Sequence, residues 1–166
     1  MKNYWMLSMA LMLTLTGLSQ TTTRCSSNDL KQLTGFWKGT LTYLDYSSGK
    51  PYTMPANLEV SQLSDANEFR FQSLYPNEPQ ANSADTIKIR NNGTYLNQEL
   101  LISRNILANG DLEIITQESG TDGNDQQEAL FRHTYTISAH QFSRKKEVQF
   151  KGTRAWIKRH EYSYSR

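Results

Sequence analysis

The sequence lacks several features that would place it in a common functional class. It has a single cysteine, Cys25, which excludes a disulfide bond within the chain. It has no large excess of charge, since 18 Lys and Arg face 16 Asp and Glu, for a formal charge of +2. Proteins that bind nucleic acid usually carry a strong basic excess. The composition therefore predicts no nucleic-acid partner.

Long apolar runs are also scarce, and the one that exists lies at the N-terminus. Lys2 precedes an uncharged apolar segment at residues 5–18, and small residues follow it at 16–19. This order is typical of a secretory signal peptide, and the run is shorter than the ~20 residues that a membrane-spanning helix needs. We expect residues 1–19 to be a signal peptide, with secretion or export to the periplasm and no stable membrane insertion. A lipid anchor on Cys25 is a minor alternative, because Arg24 stands where small residues are usual.

Removal of residues 1–19 would leave 147 residues, enough for one domain with a proper core. Residues 20–27 are polar and are predicted to be a flexible leader, and residues 28–166 are predicted to be the folded domain. Ser26 and Asp29 form a capping-box pattern that predicts one short helical turn over residues 26–33, ended by Gly35.

After this turn the sequence alternates with period two, which is the pattern of strands. Turn signals such as Asn92-Gly93 and Asn109-Gly110 separate the alternating segments. The ten predicted strands span residues 37–46, 52–63, 68–75, 86–90, 95–97, 100–107, 112–119, 129–138, 141–150 and 154–164. Because closure removes both exposed edges of such a meander, we predict an all-β closed antiparallel up-and-down barrel of about 8–10 strands.

The segment Leu33-Thr34-Gly35-Phe36-Trp37 places a Gly-x-Trp motif at the head of the first strand. This motif resembles the opening of the calycins, the superfamily of lipocalins and fatty-acid-binding proteins. The resemblance implies that Gly35 and Trp37 close one end of the barrel and that an arginine of the last strand packs over the tryptophan. Arg154 or Arg159, beside Trp156, is expected to be that arginine.

Strand parity predicts a cationic patch inside the barrel. On the strand at 141–150, Arg144 and Lys146 share a face with Phe142, Val148 and Phe150, so both cations should point inward. If residues 139–140 form a two-residue turn, Tyr135 lies opposite Arg144 and His133 opposite Lys146. If residues 151–153 form a three-residue turn, His160 lies opposite Arg144 and Lys158 opposite Lys146.

Buried cations require compensation by acids, water or a ligand. Glu118 is the obvious internal acid, and one glutamate does not neutralise three cations. The sequence therefore predicts a lumen that holds a small amphiphilic anion, similar to a fatty acid. The predicted ligand-binding residues are Arg144, Lys146, Tyr135, His133, His160, Lys158, Glu118 and Tyr162.

Two other functions stay open at this point. A His133–Glu118 pair in the lumen would suit an acid–base enzyme of lyase or isomerase type. Alternatively, the barrel is filled and presents loops 76–84 and 120–125 to an unknown protein partner. The three histidines lack metal-ligand spacing and no catalytic or cofactor motif occurs, so the sequence predicts no metal and no cofactor.

Overall fold

The computed structural model describes residues 23–45 and 48–166. The predicted signal peptide, residues 1–19, lies outside this part of the chain. The first element is the helix α1 (Ser27–Lys31), and the predicted capping box is present. The backbone N–H of Ser26 donates to Asp29 Oδ2 at 2.7 Å. The described residues include no helix that is long and apolar enough to cross a membrane.

The rest of the described chain is β structure joined by tight turns. Single 3-10 turns lie at Pro79–Ala81 and Asn91–Gly93. The strands are β1 (Gly35–Asp45), β2 (Lys50–Pro55), β3 (Asn57–Gln62), β4 (Glu68–Leu74), β5 (Ser83–Arg90), β6 (Tyr95–Leu96), β7 (Glu99–Ile106), β8 (Leu112–Asp122), β9 (Gln127–Ile137), β10 (Gln141–Phe150) and β11 (Ile157–Ser165).

These strands close into an antiparallel barrel, as predicted. Each strand from β3 to β11 pairs with the next along the chain, and β11 returns to pair with β1. Strands β2 and β3 both pair with β1 and are separated at Ala56, so they form one kinked wall strand. The barrel therefore has ten positions. The segment 52–63, predicted as one strand, contains this kink.

One end of the barrel is closed by a packed core. Trp37, Leu30 and Leu33 are fully buried there, and Trp37 Nε1 donates to the carbonyl of Leu33 at 2.7 Å. The ring of Phe142 meets Trp37 edge to face, with centroids 6.2 Å apart. We call the buried residues around Trp37 the main core.

The segment before α1 is held against the barrel instead of extending freely. Cys25 is only 3% exposed, and its backbone N–H donates to the carbonyl of Gly93 at 2.9 Å. The prediction of a flexible leader therefore does not describe its last three residues, because Cys25 packs with the main core, Ser26 caps the helix and Ser27 begins it.

The barrel wall has a notch. Strand β6 is two residues long, so on β5 it covers only Ile89 and Arg90. Pairing between β7 and β8 stops at Gln117, although β8 continues beside β9 to Asp122. The halves of β5 and β8 farther from the closed end therefore have no strand between them within the described chain. The wall is therefore incomplete between β5 and β8 at this end of the barrel.

Candidate functional site

A belt of polar side chains faces the lumen between two apolar clusters. On one side lies the main core, and on the other a smaller cluster of Ala129, Phe131 and Val148 with Phe150. We use the term polar belt for Glu99, Thr116, Glu118, His133, Arg144, Lys146 and His160. All seven side chains point inward, because each residue lies opposite a core residue on the neighbouring strand or on the same face of its own strand as one.

The register on the β9 side of the belt is as predicted. Ser138 and Gln141 exchange hydrogen bonds around the two-residue turn, so Tyr135 lies opposite Arg144 and His133 opposite Lys146. The register predicted on the β11 side is wrong by two residues at Arg144. There Arg144 lies opposite Tyr162, and Lys146 lies opposite His160. The reason is that residues 151–156 all lie outside the strands, where a three-residue turn was expected.

Lys158 is outside the barrel, which corrects the prediction that it faces the lumen. A β-bulge between the Lys146 and Glu147 pairings leaves Arg159 as an extra residue and reverses the parity before it. Lys158 pairs with the outward residue Glu147 and makes an ion pair with Glu161 at 3.0 Å. Trp156 also lies on the outer surface, where the guanidinium of Arg132 covers its ring at 4.1 Å.

Arg144 and Lys146 lie inside the barrel without a carboxylate partner. Neither makes an ion pair within residues 23–45 and 48–166. Their charges face aromatic rings instead: Arg144 Cζ lies 4.9 Å from the centroid of Tyr162, and Lys146 Nζ lies 4.1 Å from that of Phe131. Arg144 is deeply surrounded by protein yet only half-buried by exposed area, so solvent reaches it through the lumen.

Neutral hydrogen-bonding groups surround these two cations. Burial raises the pKa of Tyr162 to about 12 and raises the pKa of Tyr135 and Tyr164 further, so all three hydroxyls stay protonated. The hydroxyls of Tyr162 and Tyr75 lie 2.9 Å apart. Burial, with the charges of Arg144 and Lys146, lowers the pKa of His160 to about 4. The surroundings of Arg144 therefore offer hydroxyl donors, and the neighbouring His160 stays neutral.

A second acid, Glu99, lies in the belt and was missed by the sequence analysis. Its Oε2 accepts a short hydrogen bond from Thr116 Oγ1 and lies 3.1 Å from His133 Nδ1. Burial acts to raise the pKa of Glu99, but the imidazole of His133, the hydroxyl of Thr116 and the charge of Arg144 outweigh it and hold the pKa below its usual range. Glu99 is the first residue of β7 and follows a two-residue strand, which is too short to show parity.

The arginine over Trp37 is the last residue of the chain. Arg166 Cζ lies 4.1 Å from the centroid of the Trp37 ring, and its guanidinium donates to the carbonyls of Gln32, Thr34 and Ala139. Neither arginine named from the sequence takes this place. Arg154 is exposed in the connection before β11, and Arg159 Nε donates to Asp122 Oδ2 at 2.6 Å at the opposite end. Both assignments fail because the bulge and the longer connection shift the last strand.

Comparison with solved structures supports the fold. The protein Rv2717c from Mycobacterium tuberculosis matches with a TM-score of 0.56 over 86% of this chain and 98% of its own, at 11% sequence identity. A protein of unknown function from Nostoc punctiforme, of the DUF3598 family, matches with a TM-score of 0.46 at 13% identity, over 87% of this chain and 50% of its own. No family model and no curated protein matches the sequence. The likeness to Rv2717c, at such low identity, shows the barrel fold alone.

Proposed function

We propose that this barrel is an exported protein that binds a small organic anion in its lumen, with the anionic group held between Arg144 and Lys146. The observation that carries the proposal is that Arg144 is deep, reached by solvent and without an ion pair in the described chain. An unpaired charge in such a place is costly, and a carboxylate or phosphate would relieve that cost through charge-assisted hydrogen bonds.

The acids of the belt do not supply an ion-pair partner for Arg144. With Lys158 outside, the inward-facing charges are Arg144 and Lys146 against Glu99, Glu118 and Asp85, which lies on β5 beside the notch and whose charge also acts on Arg144. The formal charge is therefore closer to balance than the sequence indicated. Glu99, however, is engaged by Thr116 and His133 instead of an arginine or lysine. The belt therefore has a cationic side on β10 and an acidic side on β7 and β8.

The aromatic surroundings favour a compact ligand over a long acyl chain. The apolar residues that an acyl chain would need are already packed: Leu58, Val60, Phe69 and Phe71 are at most 2% exposed and belong to the main core around Trp37. Flat rings lie closer to the cations, at Tyr162 and Phe131. We therefore propose an aromatic or short-chain carboxylate or phosphate as the ligand class.

The test is displacement of a fluorescent anionic probe, 1-anilinonaphthalene-8-sulfonate, by aromatic carboxylates and by palmitate. We expect probe binding at micromolar concentration and at least an approximately tenfold loss of affinity in Arg144→Gln, since truncating one partner of a buried charged pair costs more than about 1.4 kcal/mol. We expect compact aromatic carboxylates to displace the probe better than palmitate does.

Lys145→Gln is the matched control. Lys145 lies next to Arg144 on β10 but points outward to Glu147, at 3.3 Å. We expect its probe affinity to match that of the unmodified protein. Equal probe binding in Arg144→Gln and the unmodified protein, or no binding in either, would show the proposal to be wrong.

The exported location is a separate part of the proposal and rests on the sequence of residues 1–19. Expression of the full chain in a bacterial host, followed by mass determination of the mature protein, would test it. We expect a mature N-terminus near residue 20, and recovery of the uncleaved chain in the cytoplasm would contradict export.

A further inference from the structure

Three side chains from successive strands meet on the acidic side of the belt. Glu99 begins β7, Glu118 lies in β8 and His133 lies in β9. One ligating atom from each side chain lies within 4.8 Å of the other two. All three side chains are half-buried, and a surface pocket of about 450 Å³ is lined by Glu99 and Glu118 beside the notch. The cluster is thus organised by the fold and has an entry path for a small solute.

The side chains of His133 and Glu99 approach each other closely. His133 Nδ1 is fully removed from solvent and makes no hydrogen bond in the described chain, although Glu99 Oε2 is only 3.1 Å away. The two atoms, with a carboxylate oxygen of Glu118 within 4.8 Å of both, are close enough to share one ion. Ligands held tetrahedrally at about 2.0–2.2 Å from one metal ion would lie roughly 3.3–3.6 Å from each other, close to the 3.1 Å between His133 Nδ1 and Glu99 Oε2.

Electrostatics also favours a cation at this point. Glu99 is held in place by Thr116, and Glu118 brings a second carboxylate to the same point. Neither Arg144 nor Lys146 makes an ion pair with Glu99 or Glu118 within residues 23–45 and 48–166. A divalent ion between the three side chains would contact both carboxylates directly.

We propose that Glu99, Glu118 and His133 bind a divalent transition-metal ion, with Zn²⁺ as the preferred ion. One imidazole and two carboxylates suit zinc, whereas Ca²⁺ and Mg²⁺ prefer six or more oxygen ligands. Three protein ligands leave an open coordination position. His133 lies directly opposite Lys146, so the metal site adjoins the cationic side of the belt.

Isothermal titration of Zn²⁺ into the purified protein, stripped beforehand with a chelator, tests the site. We expect one ion per chain and an affinity at least about tenfold weaker in both Glu118→Gln and His133→Gln. The matched control is Glu113→Gln, because Glu113 lies on the outward face of the same strand as Glu118, and we expect its affinity to be unchanged. Excess Zn²⁺ should raise the melting temperature of the unmodified protein and of Glu113→Gln, and less so that of the two site variants.

Three outcomes would overturn the inference: no binding at about 100 μM Zn²⁺, unchanged affinity in both site variants, or loss of binding in Cys25→Ser, which would assign the ion to the thiol. Millimolar Ca²⁺ that displaces the ion would also contradict the ligand set. Arg144→Gln distinguishes this site from the proposed anion site, since we expect it to keep Zn²⁺ binding while it loses the anionic probe.

Discussion

His160 lies in the polar belt with charged or polar neighbours from three strands. Arg144 and Lys146 face it from β10, His133 from β9 and Tyr43 from β1, and the ring of Tyr162 meets its imidazole edge on. Burial, and then the two cations and His133, lower its pKa from 6.5 to about 4. The folded protein therefore keeps His160 neutral at pH values where an unfolded chain would protonate it.

This difference predicts acid sensitivity. Between pH 6.5 and 4 the unfolded chain binds a proton at His160 that the folded chain does not, so stability falls as the pH falls. We expect His160 to account for roughly 2–3 kcal/mol of the loss in unfolding free energy across this range. In urea unfolding at pH 7 and pH 4, the drop in unfolding free energy should be smaller for His160→Gln than for the unmodified protein. The exposed His140→Gln is the control and should retain the full drop, and equal drops in all three proteins would exclude this role for His160.

Arg166 is the second residue whose side chain makes a testable contribution. Its stacking on Trp37 and its three bonds to main-chain carbonyls join the C-terminus, the segment after α1 and the β9–β10 turn. We expect Arg166→Ala to lower the unfolding free energy by about 1–2 kcal/mol. Arg70→Ala, an exposed arginine on β4, should change it by less than about 0.5 kcal/mol. Similar small effects of both substitutions in chemical unfolding would show that Arg166 is dispensable.

At the scale of elements, the helix α1 is fixed to the wall by one ion pair. Asp29, buried at 4% exposure, accepts from Arg104 Nε at 2.9 Å and Nη2 at 2.7 Å. Burial opposes ionisation of Asp29, but Arg104 and the groups of Ser26 hold its pKa below the usual range. The pair therefore positions the helix that covers the closed end of the barrel.

Breaking this pair should loosen the helix. We expect Arg104→Leu to lower the unfolding free energy by about 2–4 kcal/mol at pH 7, because an unpaired carboxylate would remain buried. The stabilisation from a depressed carboxyl pKa is present above the unfolded value of 3.8 and is lost as the pH falls below it. The difference in unfolding free energy between Arg104→Leu and the unmodified protein should therefore narrow near pH 3. Lys88→Leu, which breaks the exposed pair with Glu68, should cost less than about 1 kcal/mol. A difference in unfolding free energy that widens in acid would contradict the stabilising role of the Asp29–Arg104 pair.

The elements also show how far the sequence could be used to predict the structure. Parity within β9 and β10 and the short turn between them gave the pairing of Tyr135 with Arg144, because those strands alternate without interruption. The partner on β11 was wrong because a bulge at Arg159 leaves no sign in the pattern of polar and apolar residues. Glu99 was missed for a similar reason, since the strand before it has only two residues. Regular strands were predictable, and the irregular positions that shape the site were not.

At the scale of the whole molecule, the barrel depends on close contact between its first and last strands. Gly39 in β1 lies opposite Tyr164 in β11, and a Cβ at this position would stand 2.4 Å from both the carbonyl oxygen of Ser163 and the Cδ1 atom of Tyr164. Because one of these atoms belongs to the main chain, the strands would have to separate to accept a methyl group.

Gly39→Ala should therefore weaken closure of the barrel. We expect a loss of at least about 2 kcal/mol in unfolding free energy, measured by urea denaturation. Thr40→Ala, at the next and outward-facing position, should change stability little and serves as the control. Equal stability of the two variants would show that the β1–β11 seam has more room than the structure indicates.

The reactivity of the buried Cys25 reports how often the segment around it detaches from the barrel. Burial raises the pKa of its thiol to about 12, so almost no thiolate exists at neutral pH and alkylation has to wait for the segment to detach. As the chain has one cysteine, iodoacetamide labelling monitored by mass spectrometry would time that detachment directly. We expect labelling many times slower than that of a free cysteine and markedly accelerated by Arg104→Leu, and labelling at the free rate would mean that the segment is open in solution.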